Sequence, residues 1–373
     1  MYKKNSNKIS SYQVVLLITV YRSIIAFTYL PVINAPPANQ DIWIVLLLSI
    51  FYTIILCLPV LYLSNKFNDL TIIEYTEKIL GKFIGRIVGI YYTGYILLFG
   101  IILVATLVEI LDSTMFSETP TWVTASIMLV TCTYIAYKGL ESLARGAEIF
   151  VPFIFGVIFL FIILGYKTYD FSLLLPIFKD STFKEINMGA IDRGIKFSDI
   201  IILAMITPHL ERKEDLNRIF IKSVIYSIIT IIFVAIATQA ALGIDYAKHT
   251  NFPFFTFTRL INLFDFIQRV EALFVIAWIT GNIGKISGYL YFTAVAFSQT
   301  IKRQNNQPYI IPIAITILIV TILIKDRRSI LGVSQPLTNI ILISSGITIF
   351  IIPLITLIVY FFRRKKLTNG NYQ

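Results

Sequence analysis

The chain has 373 residues, of which 57% are hydrophobic and only 14% charged, and its mean hydropathy is +0.78. A soluble chain has roughly 25% charged residues, so the composition excludes a soluble globular protein and favours a protein that crosses the membrane several times. The formal net charge of +11 does not indicate nucleic-acid binding, because no basic stripe interleaved with aromatics lies outside the apolar runs.

The apolar residues form long runs separated by short polar connectors, a pattern typical of membrane-spanning α-helices. Alternating ten-residue segments, which are typical of a transmembrane β-barrel, are absent from the sequence. The pattern predicts an all-α polytopic membrane protein with about ten transmembrane helices. The ten predicted spans cover approximately residues 11–33, 42–63, 84–112, 121–138, 147–166, 195–210, 217–243, 268–300, 308–325 and 337–362.

The first predicted span carries Tyr21-Arg22-Ser23 in the middle of its apolar run and ends at Pro31. Its apolar run is too long for the core of a signal peptide, so we interpret it as a retained span. An ionisable side chain at membrane depth costs several kcal/mol and usually faces a partner, a cavity or a substrate path. Arg22 is therefore a candidate functional residue.

An aromatic face on the third span contains Tyr91, Tyr92, Tyr95 and Phe99. Such stripes more often serve helix packing or interfacial anchoring than ligand binding. Tyr95 and Phe99 lie one turn apart and deeper in the span.

The sixth span begins with Lys196-Phe197-Ser198-Asp199 and ends at Pro208. This polar interruption corresponds to the one around Arg22 when the chain is divided into two halves of five spans. Interrupted helices at matching places indicate an inverted repeat, with a binding site near the membrane midplane. We therefore predict one transmembrane domain over 1–373, with repeats at about 11–166 and 195–362.

Lys285 lies centrally in the eighth span, between Gly284 and Gly288. A buried Lys requires carbonyl groups or a carboxylate as partners, and structural and functional roles remain equally open.

Catalytic and metal-binding signatures are missing from the sequence. It has no phosphate-binding glycine loop, nucleophile elbow or His-Glu-x-x-His motif. Cys57 and Cys132 lie within predicted spans, and His209 and His249 are far apart, so we expect no disulfide or metal framework. We predict that the protein is not an enzyme and needs no cofactor.

The positive charges predict the orientation in the membrane. With the N-terminus inside, nineteen Lys and Arg fall in or beside cytoplasmic connectors and ten on the outer side. This bias predicts that both termini, including a tail at 363–373, are cytoplasmic.

Five stretches together resemble a known family. They are Lys8-Ile9-Ser10-Ser11-Tyr12-Gln13, Gln40-Asp41-Ile42-Trp43-Ile44, the segment 74–92 with LGKFIGRIVG, KGLESLARGAEIFVPF at 138–153 and TRLINLFDFIQRVEALFVIAWITG at 258–281. The chain resembles the membrane-embedded B subunit of spore germinant receptors, the spore-permease family within the amino acid-polyamine-organocation transporter superfamily.

The resemblance implies a LeuT-like fold with a 5+5 inverted repeat and broken first and sixth helices. It also implies a receptor subunit in the inner membrane of a spore, which binds a small nutrient, with an amino acid as the expected class. An A subunit and a lipoprotein C subunit are the implied partners in the germination signal. The alternative is an ordinary secondary transporter of an amino acid or related cation.

The family's glycine-x-glycine break in the first helix aligns with Ile24-Ile25-Ala26, where the absence of glycine makes unwinding less assured. The resemblance matches Tyr95 and Phe99 to pocket-facing positions. The predicted ligand-binding set is Arg22, Ser23, Ile24, Ile25, Ala26, Tyr95, Phe99, Ser198, Asp199, Gly284 and Lys285.

Two pairings of Asp199 remain open at this point. If the two breaks adjoin, Arg22 and Asp199 form a buried ion pair or open to hold a zwitterion, with Arg22 on its carboxylate and Asp199 on its ammonium. Alternatively, Lys196 and Asp199 simply pair with each other. In LeuT-like transporters the first and eighth helices hold a coupling sodium ion, which the ammonium of Lys285 would replace.

Overall fold

A computed structural model describes residues 8–28, 40–179, 181–250, 252–261, 271–324 and 335–369. In the first half of the chain the helices are α1 (Ser11–Thr28), α2 (Ile42–Lys66), α3 (Ile72–Leu80), α4 (Lys82–Thr114), α5 (Thr121–Lys138) and α6 (Leu140–Leu164). In the second half they are α7 (Phe183–Ile195), α8 (Ile200–Ile206), α9 (Leu216–Leu242), α10 (Ile244–Lys248), α11 (Pro253–Leu260), α12 (Glu271–Thr300), α13 (Gln307–Ile324), α14 (Gln335–Gly346) and α15 (Ile352–Asn369).

Seven helical stretches in these ranges are long and apolar enough to cross a membrane, namely α2, α4, α6, α9, α12, α13 and the α14–α15 pair. They correspond to seven of the predicted spans. The first and fourth predicted spans correspond to α1 and α5, each of 18 residues. The prediction of an all-α, multi-pass membrane protein is confirmed.

The sixth span is broken, as predicted, but it begins earlier than position 195. A capping box starts α7, because the Thr182 side chain accepts from the Glu185 backbone while the Glu185 carboxylate accepts from the Thr182 backbone. This Thr-x-x-Glu signature begins a helix within residues 167–194, which the hydropathy pattern predicts to be a connector between the fifth and sixth spans. The chain leaves helical geometry over residues 196–199 and re-enters it in α8.

The first helix differs from the expectation. The backbone of α1 stays helical through Ile24-Ile25-Ala26 as far as Thr28, so the break expected at these residues does not occur. Without glycine, the β-branched isoleucines have little access to the unusual backbone angles that unwinding requires.

The helix α1 lies inside the bundle, packed against α6, α9 and α12. On its α12 side the approach is close: a Cβ atom at Gly281 would lie 2.4 Å from the Cδ1 atom of Ile24. The helix α12 also packs along α4 and α6, while α2 packs along α7 and α9. The break that follows α7 and the polar groups of α1 and α12 are thereby brought to one region.

The last span is interrupted as well. A π-helical turn, Ile347–Ile351, joins α14 to α15. Such turns release backbone carbonyls from the helical pattern and often lie near functional sites. Here the Thr348 carbonyl accepts a hydrogen bond from the Tyr92 hydroxyl at 3.4 Å, which joins this span to α4.

Candidate ligand-binding site

A buried ion pair lies between Lys285 of α12 and Asp199 at the break before α8. Lys285 Nζ is 3.2 Å from Asp199 Oδ1, and the two side chains are 0% and 3% exposed. The Tyr289 hydroxyl donates a hydrogen bond of 2.7 Å to the same carboxylate oxygen. Because an unpaired charge at this depth would cost several kcal/mol, each charge depends on the other.

The helix α1 joins this ion pair through Tyr21. The Lys285 ammonium donates a hydrogen bond to the Tyr21 backbone carbonyl, and the Tyr21 hydroxyl donates to the Gly284 carbonyl at 3.2 Å. A Cβ atom at Gly288 would lie 1.8 Å from the Tyr21 hydroxyl oxygen, so only glycine permits this approach. Lys285 therefore connects α1, α12 and the break in the sixth span.

Arg22 holds the C-terminal end of α7. Its Nη1 donates to the Lys196 carbonyl at 2.7 Å and its Nη2 to the Arg193 carbonyl at 3.1 Å. The guanidinium also lies over the Phe197 ring, 5.0 Å from the centroid. The final carbonyls of a helix lack intrahelical donors and carry partial negative charge, so a cation is favourable there.

Both predicted ion pairs of Asp199 are wrong. Arg22 instead contacts the carbonyls of the sixth span, and Lys196 Nζ pairs with Asp192 Oδ2 at 2.8 Å. Asp192 and Lys196 are four residues apart, and α7 runs to Ile195, so the two side chains share one helix face. Asp199 lies beyond this helical segment and contacts α12.

Tyr95 and Phe99 of α4 lie beside the cluster, with ring centroids 4.8 Å apart. The Phe99 ring lies 6.3 Å from that of Tyr289. The Tyr95 hydroxyl shares a hydrogen bond of 2.9 Å with Ser345 Oγ in α14 and interacts with Ser198 at the break. Tyr95 and Phe99 therefore contribute to helix packing and also lie close to the ion pair.

The remaining predicted residues lie on α1 and α12. Ile24 packs against Gly281, and Ser23 is buried with no hydrogen-bond partner for its Oγ among the described residues. The backbones of Ile25 and Ala26 are helical, but their side chains fall outside the described part of the structure.

Several residues of the cluster had no predicted role. Among them are Tyr21, Asp192, Tyr289 and Ser345. For Tyr289 a signal was available, because a position four residues after Lys285 lies on the same helix face. For Asp192 no such signal was available, because the hydropathy pattern predicts a connector, and not a helix, at this position. Tyr21 and Ser345 contact the site through tertiary packing, which no local pattern specifies.

The arrangement favours small polar ligands held by charge and hydrogen bonds. Its functional groups are a guanidinium, ammonium groups, carboxylates and hydroxyls. Within the described residues, no group of three or more His, Cys, Asp and Glu is placed to hold a metal ion.

Solved structures with a similar fold are membrane transporters. A Na⁺-coupled sialic acid symporter, solved substrate-bound and outward-open, aligns with a TM-score of 0.61 at 15% identity, covering 91% of this chain and 79% of the symporter. MhsT in complex with L-phenylalanine aligns with a TM-score of 0.68 at 13% identity, covering 95% of this chain and 89% of MhsT. At these identities the likeness establishes the LeuT-like fold, which confirms the predicted fold class.

Relatives by sequence are spore germination proteins. Spore germination protein KB of Bacillus subtilis is 25% identical over 296 residues, covering 78% of this chain and 79% of the relative. Spore germination protein XB of Bacillus anthracis is 24% identical over 335 residues, covering 88% of this chain and 91% of the relative. The family profile described as spore germination protein matches residues 8–330, and the chain therefore belongs to the spore permease family of spore germination proteins.

Proposed function

We propose that this protein is the membrane-embedded subunit of a nutrient germinant receptor, which binds a small nutrient beside the Lys285–Asp199 pair and signals spore germination. Family membership supports the biological role. The observation that supports the place of binding is the buried pair itself, which connects α1, α12 and the break of the sixth span.

The signal would arise from exchange of contacts at this pair. The break at 196–199 is held by Arg22 and Lys285, from α1 and α12. A nutrient that replaces either contact would allow residues 196–199 to move relative to α1 and α12. It favours one conformation only to the extent that it binds that conformation more tightly than the other. Partner A and C subunits would respond to this change in the spore inner membrane.

Lys285 also supports a receptor that works without a coupling cation. The ammonium bonds to a carbonyl of α1 and a carboxylate of the sixth span. An ammonium group at this position would do the work of a bound cation in a Na⁺-coupled transporter of similar fold, such as the sialic acid symporter.

Secondary transport of an amino acid or related cation is the second candidate. It is favoured by the transporter fold of the structural neighbours and by the broken sixth span, since both roles need a ligand site at interrupted helices. Neither role requires catalysis, which fits a non-enzymatic protein.

Germination of spores with altered subunits separates the two roles. Spores that lack the gene, or that carry Asp199→Asn, are exposed to amino acids, sugars and nucleosides, and accumulation of the subunit is checked by immunoblotting. We expect loss of response to one nutrient with normal vegetative uptake of that nutrient. Arg145→Gln, in an exposed surface pair, is the matched control. Normal germination combined with lost uptake would make the protein a transporter.

A further inference from the structure

A groove in the surface of the helix bundle lies between α2 and α9. Its volume is about 670 Å³, which is within the range of ligand sites in proteins. Leu61 and Phe220 form its buried floor, while Leu58, Tyr62 and Ile221 form exposed, apolar walls. Because exposed apolar side chains on membrane-spanning helices face the hydrocarbon of the bilayer, the groove opens to lipid.

The length of the groove corresponds to one leaflet of the bilayer. Along α2 its lining begins at Ile54, in the middle of the helix, and ends at Lys66, the last residue of the helix. At 1.5 Å per residue this distance is about 18 Å, close to half the thickness of a bilayer with its headgroup regions. A transmembrane helix of a partner would need a face that continues across both leaflets, whereas a lipid needs only one.

The end of the groove at the membrane surface is polar and carries a positive charge. Lys66 is exposed there, and no Asp or Glu lines the groove in the described part of the chain. The Asn65 amide nitrogen donates to the Asn217 side-chain oxygen at 2.7 Å, which joins the two walls and leaves the Asn217 amide nitrogen for a further acceptor. An ammonium and an amide donor at one place suit an anionic oxygen ligand such as phosphate.

The carboxylates closest in sequence to this polar end have partners of their own. Asp69, three residues after Lys66, forms an ion pair with Lys213. Asp215, two residues before Asn217, accepts a hydrogen bond of 2.8 Å from the Ser11 hydroxyl. These contacts hold the two carboxylates outside the lining of the groove, so they do not take the place of an external anion beside Lys66.

The floor of the groove contacts the break in the sixth span. The Phe220 ring packs edge-on against that of Phe197, with centroids 6.5 Å apart. Phe197 lies within the break at 196–199, and the Arg22 guanidinium lies over its ring. A molecule in the groove is therefore separated from the break by the side chain of Phe220.

We propose that this groove binds an anionic phospholipid, with an acyl chain between α2 and α9 and the phosphate beside Lys66 and Asn217. The positive-inside bias predicts that this end is cytoplasmic, so the lipid would come from the inner leaflet, where anionic headgroups attract basic side chains. The site goes beyond the proposed function and does not depend on it. By filling the groove, the lipid would stabilise the packing of Phe220 and, through it, of the break.

The test measures thermal unfolding of the purified full-length chain in a non-ionic detergent, since a ligand that binds only the folded state raises the unfolding temperature. Dioleoyl phosphatidylglycerol is the anionic probe. Dioleoyl phosphatidylcholine has the same chains without a net charge, and glycerol phosphate has the phosphate without chains. We expect phosphatidylglycerol to stabilise the protein at concentrations at which phosphatidylcholine has little effect and glycerol phosphate has none.

Two kinds of variant locate the binding site. Lys66→Gln should lower the apparent affinity for phosphatidylglycerol about fivefold, the effect of one basic side chain at a membrane surface. Lys138→Gln is the matched control and should retain that affinity, because Lys138 is likewise exposed and is the last residue of a span, α5. Leu58→Trp and Ile221→Trp, which fill the groove, should remove the stabilisation by phosphatidylglycerol.

Four outcomes would overturn the proposal. Equal stabilisation by the two lipids would show that charge plays no part, and equal losses in Lys66→Gln and Lys138→Gln would show attraction to the basic surface as a whole. Stabilisation by glycerol phosphate alone would assign the polar end to a soluble phosphate. Full stabilisation by phosphatidylglycerol in both tryptophan variants would place the lipid elsewhere. The nutrient site is tested separately, by the germination experiment.

Discussion

The Lys285 ammonium lies in the interior of a membrane protein, where its charge is stabilised by three neighbouring groups. One carboxylate, one backbone carbonyl and the face of the Tyr289 ring, 5.6 Å from Nζ, surround the ammonium. Asp199 in turn receives the ammonium and the Tyr289 hydroxyl on a single oxygen. Removal of either charge would leave the other without its principal partner, so the two residues should behave as one unit.

A double-mutant cycle measures this dependence. Lys285→Met and Asp199→Leu should each destabilise the folded protein by about 3–5 kcal/mol, because each leaves a buried charge uncompensated. The double variant should be less destabilised than the sum of the two, since no charge remains. The free energy of unfolding is measured by denaturant titration in mixed micelles.

The exposed pair Glu141–Arg145, with side chains 43% and 71% exposed at a distance of 2.6 Å, is the control for that cycle. Its coupling energy should stay below about 1 kcal/mol, because water screens surface pairs. Additive effects at Lys285 and Asp199 would contradict the dependence of the buried charges on each other.

At the level of helices, the contact between α1 and α12 depends on small residues of α12. Ile24 and Tyr21 occupy the space that side chains at Gly281 and Gly288 would need. Close approach through glycines is common between membrane helices, where dispersion contacts replace the hydrophobic effect as the source of association. This contact also sets the distance between the Tyr21 carbonyl and Lys285.

Gly288→Ala should therefore disturb both packing and site. The added methyl group would lie 1.8 Å from the Tyr21 hydroxyl oxygen, and overpacking of this kind costs about 1–3 kcal/mol. The matched control is Gly94→Ala in α4, where an added Cβ would meet nothing within 4 Å and the change should be neutral or slightly stabilising. Thermal unfolding of the two variants in one detergent compares them; equal unfolding temperatures would show that α1 and α12 are not held by this contact.

The elements show how far the sequence specifies this fold. Apolar runs and charge spacing predict the long helices because membrane insertion depends on length and hydropathy. They miss α7, whose 13 residues are too few to span a bilayer and whose start is set by a local capping box. The partner of Asp199 was missed for another reason: Lys285 is 86 residues away, and only packing of α12 beside the break brings the two together.

At the scale of the whole molecule, contacts between distant parts of the chain hold one end of the helix bundle together. At one end, a backbone bridge joins Ile9 to Leu210, and the Ser11 hydroxyl donates to Asp215 at 2.8 Å. Lys302 pairs with Glu77 at 2.7 Å on the same side. The predicted cytoplasmic segments thus meet at one end of the bundle, so their positive charges act together on orientation.

That grouping yields a prediction of sidedness. The positive-inside bias predicts that this end is cytoplasmic, with Arg145 on that side and Tyr246, at the opposite end, outside. In right-side-out vesicles, Tyr246→Cys should react with a membrane-impermeant maleimide directly, and Arg145→Cys only after permeabilisation. Cys57 and Cys132 are buried, so the unsubstituted chain should give little background. Because the bias is counted over many connectors, reversed labelling would overturn the predicted orientation of the whole bundle.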